Sequence, residues 1–154
     1  MPNTQAVPKT FKVELLKAVH AFGTPPARSA VKDVFKAALF FSSATINADT
    51  TAYTTSGEAT GAGYTAAGIP VTNGVEPTNS GGTGVTAYWT PSASLSYGII
   101  TVAAFDCVLI YNDTAAGKPA VSVNTFGSTT VTGSSFTLTM PANTDVAALL
   151  RITS

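Results

Sequence analysis

Phe105, Cys107, Val108, Leu109, Ile110 and Tyr111 form an apolar run that only Asp106 interrupts. A run this short and this uniformly apolar is a central strand buried on both faces. Such a strand needs a hydrogen-bonded neighbour along each edge and side chains packed above and below it. The rest of the chain must therefore supply a sheet with two covered faces.

The C-terminal half offers those neighbours. Residues 86–90 are short and aromatic, and residues 99–102 are apolar. Asn112, Asp113 and Gly117 give residues 112–117 the chemistry of a turn, after which 120–124 returns as a strand with Val121 and Val123 facing in. Phe136, Leu138 and Met140 alternate with Thr137 and Thr139, a half-buried strand that stops at Pro141. Residues 146–152 form a last apolar segment.

The N-terminal half is less regular. Residues 1–9, with Pro2 and Pro8, read as an extended arm that cannot stabilise itself and is expected to cross to another copy or to a partner protein. Phe11, Leu15, Val19 and Phe22 recur at helical spacing, so a helix is expected over about 11–22, capped by Thr10 and closed by Gly23. Residues 34–42 favour a strand. Residues 43–86 imply long loops with short strands, the most mobile being 75–84 with Pro77, Gly81, Gly82 and Gly84. Residues 10–154 form one domain, for which a chain of 154 residues is large enough. The expected fold is mainly β, a jelly-roll-like antiparallel β-sandwich of seven or eight short strands with one short N-terminal helix.

Charge is scarce, at 10% of residues against a norm of about 25%. Surface positions that commonly carry Lys or Glu carry hydroxyls instead, from 25 Thr and 13 Ser. Low self-repulsion permits dense packing of identical subunits. Residues 1–36 hold Lys9, Lys12, Lys17, Arg28, Lys32 and Lys36 against Glu14 and Asp33, while the remainder is acidic by the same margin. Such asymmetry suits contact between copies or docking on an acidic partner. Lys9, Lys12, Lys17, Arg28 and Lys32 are the candidate contacts, with Tyr88 and Trp89 beside them. Six cations spread over 36 residues are too sparse for specific nucleic-acid binding. No run of about 18 apolar residues suits a membrane, and residues 1–5 carry no signal-peptide pattern.

Chemistry-bearing motifs are few. His20 is the sole histidine and Cys107 the sole cysteine, so neither a catalytic triad nor an ordinary zinc site assembles around them, and no cofactor is expected. His20 is read as a helix-surface or packing residue and Cys107 as a small core residue. Gly61, Gly63 and Ala66 match a loose dinucleotide pattern, but without the strand before and helix after it the motif is a tight turn or a close backbone approach. Asp106 is read as a turn- or edge-bonded carboxylate at the strand entrance. Asn112, Asp113 and Thr114 spell a glycosylation sequon, read here as a hairpin turn. Tyr53, Tyr64, Tyr88, Trp89 and Tyr97 could form a sugar-stacking platform or line an interface.

The order of short motifs resembles a family of small structural proteins encoded by tailed bacteriophages. The likeness begins with Phe11, Leu15, Leu16, His20 and Phe22, then Phe35, Leu39 and Phe40. It continues through Tyr53, Glu58, Gly61, Gly63, Tyr64 and Gly68, then Leu109, Tyr111 and Asn112. Phe126, Gly127, Phe136, Leu138, Leu149, Leu150, Arg151 and Ile152 complete it, so that it spans residues 11–152. Departures are the longer arm before Phe11 and the loop around 77–84. The resemblance implies a non-enzymatic virion component, made in the host bacterial cytoplasm. Its implied partners are the major capsid protein and further copies of itself, as a dimer or trimer. Three roles stay open: a capsid decoration or cement protein, a tail or fibre-adaptor component, and a carbohydrate-binding module.

Overall fold

A computed structural model describes residues 3–23, 31–79 and 85–153. Helix α1 spans Lys9–Leu16, and seven strands follow: β1 Phe35–Phe41, β2 Ile69–Pro70, β3 Thr78–Asn79, β4 Thr86–Trp89, β5 Leu95–Asn112, β6 Ala120–Leu138 and β7 Leu150–Thr153. They form a four-stranded sheet ordered β2-β1-β5-β6 and a three-stranded sheet ordered β3-β4-β7, antiparallel throughout. The fold is mainly β with one short helix.

The 105–111 run is the C-terminal part of β5, paired with β1 on one edge and β6 on the other. Alternation along β1 and β5 divides the interior in two. Phe35, Ala37, Leu39, Val108 and Ile110 face one core, which also takes Trp89 from β4 and Leu150 from β7 and so joins the two sheets. Ala38, Phe40, Cys107, Leu109 and Tyr111 face the other way, under Ala44 and Ile46.

Two long strands replace most of the short ones expected. The segments around 99–102 and 105–111 are one 18-residue strand, and 120–124 continues through Phe136 and Leu138 as a 19-residue strand. Bulges explain the difference. Core-facing residues of β5 are Leu95, Tyr97, Ile100, Val102, Phe105, Val108 and Ile110. Their spacing slips from two to three at three of the register shifts, near Gly98 (φ +70°), Ala104 (φ +50°) and Asp106. Each extra residue returns the apolar side to the core and bends the ribbon. In the C-terminal segment, residues 146–149 precede the pairing and β7 begins only at Leu150.

The helix is shorter than its periodicity suggests. Ala18 takes a left-handed conformation (φ +53°), Val19 N–H donates to the Glu14 carbonyl and Ala18 N–H to that of Leu15. This is a Schellman closure with alanine in the usual place of glycine. Thr10 does not cap the start, where Pro8 sits at the boundary, and Gly23 closes nothing. His20 to Phe22 run on beyond the helix into the core.

Residues 3–9 are held along their own domain. Thr4 N–H donates to the Ile46 carbonyl, Lys9 N–H to that of Ala48, and Ala6 and Val123 exchange a backbone pair at 3.0 and 2.8 Å. Asn3 is buried and fully engaged. Its Nδ2 donates to Asp106 Oδ1 and the Phe41 carbonyl, and its Oδ1 accepts from Ile46 N–H at 2.8 Å. The arm is a strap on its own domain. Asp106 is thus a mid-strand carboxylate at a bulge that anchors the strap, not a residue of the strand entrance.

Within 75–84, Thr78 and Asn79 form β3 and residues 80–84 lie outside the described residues.

Candidate functional site

Helix α1 buries one side chain completely, Phe11, with Leu15 packed partly against the same core. The opposite side faces outward. At 100° per residue, Lys12, Leu16, Lys9, Val13 and Lys17 fall in that order across an arc of about 140°. Leu16 is 91% exposed and Val13 50% exposed, so the arc carries an apolar ridge flanked by cations.

The other described cations are engaged. Lys9 pairs with Asp49 at 2.6 Å and Lys32 with Glu76 at 2.5 Å. Lys36 and Lys118 share Asp113 at 3.0 and 2.8 Å, and Arg151 Nη1 donates to the Val146 carbonyl. Lys12 and Lys17 have no such partner among the described residues. Glu14 is drawn off the exposed face, its Oε2 3.0 Å from His20 Nε2.

The expected contact set therefore divides. Lys9, Lys12 and Lys17 share one surface, while Lys32 is held against Glu76. Tyr88 is half-buried on β4, between β3 and β7. Trp89 is no surface contact: it is buried, and its Nε1 donates to Asn73 Oδ1 and the Val75 carbonyl, both at 3.1 Å. Arg28 lies outside the described residues. The exposed ridge of Val13 and Leu16 was missed because the sequence reading followed only the Phe11, Leu15, Val19 and Phe22 face and left the opposite face of the helix unread. Leu16 lies opposite Phe11, and none of the described residues covers it.

No sugar-stacking platform forms from the aromatic residues. Tyr97 is buried and donates to the Ala37 carbonyl. Tyr53 and Tyr64 turn inward and donate to opposite oxygens of buried Glu58, at 2.5 and 3.0 Å. Glu58 Oε1 also accepts from Ala67 N–H, and the Tyr64 hydroxyl accepts from Leu39 N–H in β1. Burial is the main cause that raises the Tyr53, Tyr64, Tyr97 and Tyr111 phenols above their ordinary range, and the Glu58 charge adds to it at Tyr53, Tyr64 and Tyr111. Gly61 and Gly63 lie where this loop crosses β5. An added Cβ would overlap the Thr101 and Ile99 carbonyls, so the glycines mark a close backbone approach.

A second buried cluster ties α1 to the end of β5. The His20 side chain has no exposed surface and packs among Phe11, Phe22 and Phe35. Asn112 Oδ1 accepts from Thr114 and Ala115 N–H, so its Nδ2 is the donor toward His20 Nδ1 (3.1 Å) and Asp33 Oδ2 (2.7 Å). Nδ1 then accepts, and Nε2 carries the proton that faces Glu14. The histidine has a packing role. Asn112 has the turn-forming role read from the sequence, and its burial removes it from glycosylation.

Burial pushes the Cys107 thiol up to about 12, which leaves it a protonated core residue. The Lys118 ammonium, with Lys36 beside it, holds Asp113 below the usual carboxylate range.

A groove of about 840 Å³ runs between residues 5–7, the Asn124 to Phe126 part of β6, and Leu149. Among the described residues Arg151 is its only charged lining side chain, and none of them brings a carboxylate, histidine or cysteine to it. Among the described residues no three such side chains come together as a metal site, and no helix is long and apolar enough to cross a membrane. No protein-family model, curated protein or solved structure matches the chain.

Proposed function

We propose that the chain is a structural protein of a tailed-phage virion, a decoration protein that binds between major capsid subunits. The observation that carries this reading is the outward face of α1, where Leu16 and Val13 stand between Lys12 and Lys17, neither of which has an ion-pair partner among the described residues. An apolar ridge with a cationic border fits an acidic protein surface, the ridge supplying affinity and the cations orientation. The hydroxyl-rich, nearly uncharged surface suits crowding of many identical copies on one shell. The motif order that resembles small phage structural proteins points the same way.

Co-sedimentation of the purified chain with capsids stripped of it tests the reading. Leu16→Asp, and separately Lys12→Glu with Lys17→Glu, should each weaken binding by at least about tenfold, or about 1.4 kcal/mol. The charge-reversed protein should also lose most of its salt sensitivity. Binding to purified tails but not to capsids would favour the tail or fibre-adaptor role. Undiminished capsid binding by both variants would remove α1 from the interface.

A further inference from the structure

Strand β6 is an edge strand of unusual character. It is 19 residues long, it pairs with β5 on one side, and among the described residues its other side takes backbone hydrogen bonds only near its start, where Ala120 N–H donates to the Thr51 carbonyl and Val123 pairs with Ala6. Long edges are ordinarily guarded by charged side chains or proline. Here residues 120–138 contain neither, and no charged residue occurs anywhere from 119 to 144. The other edges are guarded or brief. β2 is two residues long and ends in Pro70, β3 is two residues long, and β7 has four residues with Arg151 among them.

Bulges divide β6, with register shifts around residues 126–128 and 132–133. Between Ser134 and Leu138 its own backbone runs without an insertion, the one bulge there lying on β5 between Ser96 and Gly98, and this is the longest unbroken stretch of β6 clear of the Thr51 and Ala6 contacts. Ser134, Ser135 and Thr137 are exposed there, while Phe136 and Leu138 lean on the core.

We propose that residues 134–138 pair antiparallel with the same residues of a second copy, joining two four-stranded sheets edge to edge about a twofold axis at Phe136. An isologous pairing sets Ser135 opposite Thr137 and Ser134 opposite Leu138 of the second copy. Any charge on this segment would sit close to its own duplicate across the axis, and the segment has none. A foreign strand would impose no such restriction, so the absence of charge favours a second copy over a different partner. The surface is separate from the α1 face, and the two can be occupied together.

Sedimentation velocity of the full chain, with and without charges on this edge, tests the proposal. The unaltered protein should dimerise reversibly. Ser135→Lys with Thr137→Lys should give a monomer by setting Lys against Lys, and Ser135→Glu with Thr137→Glu should do the same. An equimolar mixture of the two variants should recover the dimer. Both positions are exposed, so the variants should melt close to the parent. If they do not fold, amide exchange of the unaltered protein decides: protection of residues 134–138 should rise with concentration. A parent that stays monomeric throughout the micromolar range, a Lys variant that remains dimeric, or edge amides indifferent to concentration would overturn the proposal.

Discussion

The rings of Phe126 and Phe136 lie 6.1 Å apart although they stand ten positions apart on one strand. A straight strand would separate them by about 33 Å, at 3.3 Å per residue. Phe105 on the paired strand meets both rings, at 5.9 and 4.9 Å. The β5–β6 ribbon therefore curls around its own core, and the bulges make the curl possible.

That curl makes Gly133 and Gly127 differ. Gly133 has φ +57°, Gly127 is not in the left-handed region, and an added Cβ would meet nothing at either. Gly133→Ala should cost about 1–2 kcal/mol through backbone strain alone. Gly127→Ala should stay within about 0.5 kcal/mol of the parent. Urea titrations of both variants give the comparison.

The N-terminal strap should contribute to the stability of its own domain. Asn3→Ala leaves Ile46 N–H and the Asp106 carboxylate short of a partner, which should cost about 1–3 kcal/mol. The melting temperature of the isolated protein should fall accordingly. An unchanged melt would show that the strap is not held by its own subunit.

Four phenols raised above their ordinary range make stability sensitive to alkali. In the unfolded chain each ionises near pH 10, while the fold holds the proton more tightly. Their contribution is whole below pH 10 and is lost as the pH climbs from there toward the raised folded values. Denaturant midpoints should therefore fall above pH 10. Tyr64→Phe should lower the midpoint at neutral pH too, by about 1–3 kcal/mol, since it strips a donor from Glu58 and an acceptor from Leu39 N–H.

Leu109 is wholly buried between Ala38 and the cover from Ala44 and Ile46. Leu109→Ala should cost about 2–5 kcal/mol. Its neighbour Cys107, buried and protonated, should be silent to a thiol reagent in the native protein and titrate fully in denaturant.

What could be read in advance followed local pattern. β1 and the 105–111 core of β5 were legible as apolar runs, and β4 as an aromatic one. The continuity of β5 was hidden because period-two alternation breaks at Gly98, Ala104 and Asp106, and a bulge looks like a strand end in sequence. The helix end was hidden because Ala18 adopts a conformation that sequence reading assigns to glycine. For the contact surface, Lys12 and Lys17 were legible as charge. Leu16 was not, since one leucine beside the Phe11 and Leu15 face does not by itself stand out as an exposed apolar ridge. Trp89 and the tyrosines were misjudged because their partners Asn73 and Glu58 lie on loops whose course no periodicity records.

The proposal that this chain coats a phage capsid through α1 meets its sharpest test in a cryo-electron-microscopy reconstruction of phage particles from an infection that expresses it. Many copies are expected between major capsid subunits, each with Leu16, Lys12 and Lys17 against the shell. Absence of the chain from the particle, or its confinement to a single ring at the tail, would contradict it.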